Sequence, residues 1–308
     1  MLRCRWAVQS NWFSVEWTAL QPAKTAPTVA LTGFSEITDQ FDICLCDIWG
    51  VVHNGVAAHQ DACDALVAMR ERGVSVVLVT NAPRPRREIE VQLARLAVPE
   101  AAYDAIVTSG DVCRALIEER SGEPVFMLGP DRDLPLIAGL DAPRVSSAEA
   151  RYVLCTGLFD DETETAETYA GLFADLVARD LVMICANPDL VVDRGGKIVP
   201  CAGSLALAYE QIGGTVIYAG KPHRPIYEMA LHIAEARRGK PVPPDRICAI
   251  GDAIRTDIAG ANAFGAASVM VLAGIHAQDL VEKSWEERHG WFAGQHHRPD
   301  YAIPQLVW

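Results

Sequence analysis

Short apolar runs alternating with stretches of helical period set the rhythm of the chain from Phe41 onward. Runs of strand length fall at Ile43–Cys46, Val74–Val79, Ala105–Val107, Val216–Ala219, Ile247–Ile250 and Ser268–Leu272. Between them, Asp61–Gly73 puts Ala62, Ala65, Leu66 and Met69 on one helical face and ends in glycine, a common helix stop. Ile226–Gly239 repeats the device with Ile226, Met229, Ala230 and Ile233. Strand and helix in alternation predict an α/β fold: a parallel sheet with helices on both faces.

The middle of the chain has its own elements. Strands are predicted at Pro124–Leu128, Tyr152–Thr156 and Leu181–Ala186, and a helix over Ala166–Arg179. The acidic run Asp160–Glu167 leads into that helix, where carboxylates meet the positive end of the helix dipole. This block is large enough for a second α/β domain. The expected organisation is a core made of residues 34–121 and 215–308, with 122–214 inserted between its halves. Residues 1–33 sustain no period, despite tryptophans at 6, 12 and 17, and form a poorly specified N-terminal segment.

Composition narrows the classes. A length of 308 residues suits about two domains, and 50% apolar with 22% charged residues is a globular balance. The formal net charge of −13 argues against a nucleic-acid polymer or an acidic membrane surface as partner. No apolar stretch is long enough to span a bilayer, and Gln9, Ser10, Asn11 and Glu16 break any signal-peptide core. A cytoplasmic location is therefore expected. The nine cysteines are odd in number and form no CxxC pair, so they read as buried packing residues rather than disulfides or zinc ligands.

In open parallel sheets, ligands bind beyond the carboxyl ends of the strands. Just past the apolar runs stand Asp47, Thr80 with Asn81, Lys221, and Asp252 followed by Asp257. Each alone has a plainer explanation: a strand-end Asp or Thr is often a helix cap, and a lone lysine is often solvated. Together they point to phosphoryl chemistry. Carboxylates facing one point repel each other, and Mg²⁺ resolves that repulsion while leaving room for a phosphate. Lys221 and the Thr80 hydroxyl can hold phosphate oxygens, and a carboxylate beside the metal can attack phosphorus.

These segments resemble the four motifs of the haloacid dehalogenase superfamily. The first reads ICLCDIWGVVHNG, the second VVLVTNA, the third falls in YAGKPHRPIYEMAL, and the fourth is GDAIRTD. The middle block, with ICANPDLVV and PCAGSLALAYEQIGG, is similar to the large cap of subfamily IIA. The resemblance covers about residues 36–308. It implies a Rossmann-like core with an inserted α/β cap domain. It also implies Asp47 as nucleophile and metal ligand, the Trp49 backbone carbonyl and Asp252 as direct ligands, and Asp257 as a ligand through water. Thr80 and the Asn81 backbone would bind phosphate, and Lys221 would pair with both Asp47 and phosphate.

One departure matters. The family's phosphatases carry a second Asp two residues after the nucleophile, where it protonates the leaving oxygen and later activates water; here that position is Trp49. General acid–base help of this kind is worth about 10²–10⁴ in rate. His53 is the nearest titratable substitute, with a plain loop role as its alternative. Arg84, Asn187 and Asp189 are candidate substrate contacts, although Asn-Pro-Asp is also good turn chemistry. The expected function is Mg²⁺-dependent hydrolysis of a small phosphorylated metabolite through an aspartyl-phosphate. The alternative is a protein of the same fold that binds ligand with little or no turnover. A homodimer is compatible with either.

Overall fold

The structure is a computed structural model that describes residues 26–194 and 197–308. In chain order the described strands are Val29–Ala30 (β1), Ile43–Asp47 (β2), Ser75–Thr80 (β3), Ala105–Thr108 (β4), Val125–Leu128 (β5), Tyr152–Cys155 (β6) and Val182–Cys185 (β7). They continue with Val191–Arg194 (β8), Lys197–Pro200 (β9), Thr215–Tyr218 (β10), Ile247–Gly251 (β11), Ala267–Val271 (β12) and Tyr301–Ile303 (β13). A seven-stranded sheet has the order β1-β13-β12-β11-β2-β3-β4, with every pairing parallel. A second, four-stranded parallel sheet runs β10-β7-β6-β5, and β8 and β9 pair as an antiparallel hairpin.

Alternation along the central strands explains the layers. Cys44, Cys46, Val76, Leu78, Cys248 and Ile250 face one way, into the helices Gln60–Glu71 and Arg86–Arg95 through Leu66, Met69, Ile89 and Leu93. Ile43, Leu45, Val77, Val79 and Ala249 face the other way, into Ser109–Glu118 and Arg224–Arg238 through Leu116, Ile226 and Ala230. Strands buried on both faces read as unbroken apolar runs, which is why these were legible. The same apolar cluster takes in Leu154, Ile184 and Ala186 from the smaller sheet, so one core reaches from one sheet to the other. The opposite face of the smaller sheet packs on Ala170–Ala178 and Ala202–Gln211 through Phe173, Leu205 and Tyr209. All eight described cysteines are buried and free.

Three expectations change. The run at Val216–Ala219 was expected to open the second half of the core, but β10 pairs with β7 in the smaller sheet. An apolar run of four residues carries the same local signal in either sheet, and only the available edge decides. The helix expected over Ala166–Arg179 begins with a 3₁₀ turn at Ala166–Tyr169 and becomes α-helical at Ala170–Ala178. Of the segment 1–33, the three tryptophans lie outside the described residues. Its end, however, is ordered into the large sheet: Val29 and Ala30 pair with Tyr301 and Ala302, and Leu31 is buried.

Candidate active site

Asp47 is the last residue of β2, and the chain turns sharply after it. Gly50 takes a left-handed φ of +80°, and a Cβ there would collide with the Asp252 carboxylate, so glycine is required on both counts. Asp252 follows β11 and accepts from the Ile275 N–H at 2.8 Å. Asp257 sits in a wide π-type turn, Ile254–Ile258, an element frequent at functional sites. Its Oδ2 accepts from the Ala253 N–H at 3.1 Å. A Cβ on Gly251 would strike the Asp257 side chain. Ligand oxygens of Asp47, Asp252 and Asp257 lie within 4.8 Å of one another, and all three residues are buried.

Lys221 enters from beyond β10. Its Nζ donates to Asp47 Oδ1 at 2.5 Å and to Asp257 Oδ1 at 2.7 Å, and only 4% of the residue is exposed. Burial opposes the charge on Lys221, but Asp257 and Asp47 outweigh it and hold its pKa well above 10.5. Burial pushes the Asp47 carboxyl well up; Lys221 pulls it back, while Asp257 and Asp252 add to the rise. Asp252 is raised to about 7 by burial and by Asp257. Three carboxylates against one ammonium leave an excess of negative charge out of water, a configuration that favours taking up a proton or a cation.

Asn81 does more than its expected backbone role. Its Oδ1 accepts from the Lys221 N–H at 2.7 Å, and its Nδ2 donates to the Lys221 carbonyl at 3.0 Å and to Asp189 Oδ1 at 2.9 Å. This side chain therefore ties the second motif to the third and to the Asn-Pro-Asp loop. Gly220 makes the clasp feasible, since a Cβ there would strike Asn81 Oδ1 and Pro188. Asn187 Oδ1 accepts from the Asp189 N–H at 3.1 Å, which is the expected turn chemistry. Asp189 belongs to the site as well: burial raises its pKa, while Asn81 and Lys221 pull it down.

Thr80 ends β3, is buried, and accepts at Oγ1 from the Ala82 N–H at 3.3 Å. Arg84 is not brought to these groups. Its guanidinium donates to Gln92 at 2.8 Å and lines a separate cavity of about 1000 Å³ with Arg86, Arg87, Arg95 and Arg114. Trp49 is 47% exposed and meets His53 edge-on, at 5.2 Å and 81° between ring planes. Its outer edge lies where a Cβ on Gly55 would be. His53 is buried, its pKa lowered chiefly by that burial, and its Nδ1 accepts from the Gly55 N–H at 3.0 Å. It anchors the loop. Sequence reading missed the Asn81 side chain and Tyr227, a buried phenol whose hydroxyl lies 3.4 Å from the Asp257 carbonyl oxygen. The helical period did place its neighbour Ile226, but nothing local signalled that Tyr227 would reach the fourth motif.

A parallel sheet with acidic strand ends and a buried lysine between them defines a hydrolase of the haloacid dehalogenase-like class, and the chain belongs to that family. It is 44% identical to a haloacid dehalogenase-like hydrolase from Brucella suis, a match covering 90% of this chain and 100% of that one with a TM-score of 0.78. The family model for haloacid dehalogenase-like hydrolases matches residues 44–141, and a HAD-hydrolase-like model matches 218–307. Among named relatives, the 5'-nucleotidase YutF of Bacillus subtilis is 25% identical over 247 residues, covering 78% of this chain and 91% of that protein. The ribonucleotide monophosphatase NagD of Escherichia coli is 24% identical over 254 residues, covering 80% and 93%. Among the described residues no helix is long and apolar enough to cross a membrane.

Proposed function

We propose that the protein is a Mg²⁺-dependent hydrolase of small phosphate monoesters that works through an aspartyl-phosphate on Asp47. The reading rests on one observation: Asp47, Asp252 and Asp257 converge within 4.8 Å, with Lys221 bonded to two of them. The names of the relatives, a 5'-nucleotidase and a ribonucleotide monophosphatase, support a nucleotide- or sugar-phosphate type of substrate. The donor set fits a hard divalent cation, because it offers only oxygen and few carboxylates. Asp47, Asp252 and the Trp49 carbonyl would hold it, with Asp257 supporting through water. When bound, such an ion draws charge from a phosphate oxygen and offsets the repulsion among the carboxylates.

The chain's own groups carry the rest. An Asp47 oxygen attacks phosphorus, the ester P–O bond breaks with its electron pair on the leaving oxygen, and water then splits the aspartyl-phosphate. Lys221 balances charge beside Asp47, while the Thr80 hydroxyl and the Asn81 backbone receive phosphate oxygens. The Asn187–Asp189 loop closes the side facing the smaller sheet. A small phosphorylated metabolite in the cytoplasm, acted on by a monomer or homodimer, completes the proposal.

The test is phosphate release from 4-nitrophenyl phosphate with Mg²⁺, repeated with chelator and with Asp47→Asn. Both changes should abolish release, and undiminished release by Asp47→Asn would overturn the mechanism. Trp49 supports a second reading, ligand binding without turnover. A wild type inactive on every ester tried, with activity gained in Trp49→Asp, would favour it.

A further inference from the structure

The groups around Asp47 are equipped to attack phosphorus but not to protonate what leaves. Asp257 accepts from Lys221 and the Ala253 N–H, Asp252 from the Ile275 N–H, and Asp189 from Asn81. His53 is 2% exposed and uses its Nδ1 lone pair on the Gly55 N–H. Two residues beyond the nucleophile, where the chain turns back over the site, stands an indole that has no proton to exchange at neutral pH. Half of its surface is uncovered, and its edge contacts with His53 and Gly55 fix its orientation. An aromatic surface held in this way suits a flat partner.

On the hydrolase reading above, we propose that the substrates are phosphates carried on a planar, conjugated oxygen, namely aryl, enol or acyl phosphates, whose leaving groups depart as stabilised anions against Trp49. The Asp47 Oδ–P bond forms as the P–O bond to the leaving group breaks, and the electron pair stays on that oxygen with no proton delivered. Water then attacks the aspartyl-phosphate, releasing phosphate and the Asp47 carboxylate and giving its proton to solvent. No base at position 49 assists this second half. The phosphoenzyme therefore outlives departure of the first product.

The experiment measures kcat/KM for aryl phosphates of graded phenol acidity, from 4-nitrophenyl to phenyl, and for glycerol phosphate as the alkyl case. Wild type, Trp49→Asp, Trp49→Phe and Asp47→Asn are compared with Mg²⁺, and the first turnover is followed by rapid mixing. In wild type, kcat/KM should fall steeply as the leaving group becomes more basic. A burst of about one nitrophenolate per chain should precede steady turnover. Trp49→Asp should raise the alkyl-to-aryl ratio by about 10²–10⁴ and shrink the burst. Trp49→Phe should keep the steep dependence, with KM for aryl esters raised by no more than about 10-fold.

Glycerol phosphate turned over by wild type as readily as 4-nitrophenyl phosphate would overturn the inference while leaving the hydrolase reading intact. So would a folded Trp49→Asp protein with an unchanged ratio. Should that variant fail to fold, the wild-type dependence and burst decide alone. No release from any ester, or equal release by Asp47→Asn, would overturn the hydrolase reading and this inference with it.

Discussion

Two side chains decide whether the site exists as a unit. Asn81 satisfies both backbone polar groups of buried Lys221 and also reaches Asp189. Asn81→Ala leaves those groups without partners, at a cost of about 1–3 kcal/mol. Asn81→Asp should cost more, because it sets a second carboxylate against Asp189 and the Lys221 carbonyl. Urea denaturation of both variants checks the order, and an Asp variant at least as stable as the Ala variant would contradict it. Lys221 is the one cation bonded to the carboxylate cluster among the described residues. Removing one partner of a buried ion pair costs about 3–5 kcal/mol. Lys221→Met should therefore lower the melting temperature in chelator, and Mg²⁺ should recover more of that loss than it adds to wild type. Thermal unfolding with and without the ion measures both effects.

At the scale of elements, the site is assembled where short connections meet rather than within any one helix or strand. The helix Ala202–Gln211 packs its first turn directly on the Asn-Pro-Asp loop, and a Cβ on Gly203 would strike the Pro188 and Asp189 carbonyl oxygens. Gly203→Ala should therefore displace that loop and break the Asp189–Asn81 bond without touching the carboxylate cluster. We expect a change in KM larger than the change in kcat, measured on whichever ester the wild type turns over best. A change in kcat alone would argue that the loop does not face substrate. The turn after β2 obeys the same logic, since Gly50 is placed by both its left-handed backbone and the Asp252 carboxylate. The motif glycines are legible in sequence, but the atoms that exclude a side chain from them come from other segments of the chain.

For the whole molecule, the buried carboxylates couple stability to pH and to metal. The native state holds the Asp252 proton up to about 7, whereas a carboxyl with the ordinary value of 3.8 has already lost it. Between those values the unfolded chain binds fewer protons, so this group's contribution falls as pH rises, by at most ~1.4 kcal/mol per pH unit. A divalent ion favours the ionised carboxylates instead. Mg²⁺ should thus raise the melting temperature, relative to chelator, more at pH 8 than at pH 5; an equal increment at both would refute the linkage. The sequence by itself determined the alternation of strand and helix, the parallel sheet, and the acidic and basic residues at strand ends. All of these are local signals, written in the apolar period and in the residues that end each run. Only the tertiary structure decided that β10 joins the smaller sheet, that Val29–Ala30 and Tyr301–Ile303 pair as the far edge, that Arg84 turns away, and that Asn81 clasps Lys221. A short strand does not specify which edge it will pair with, and a polar side chain does not specify its partner. Both are settled by which unpaired groups the packed core brings within hydrogen-bonding distance.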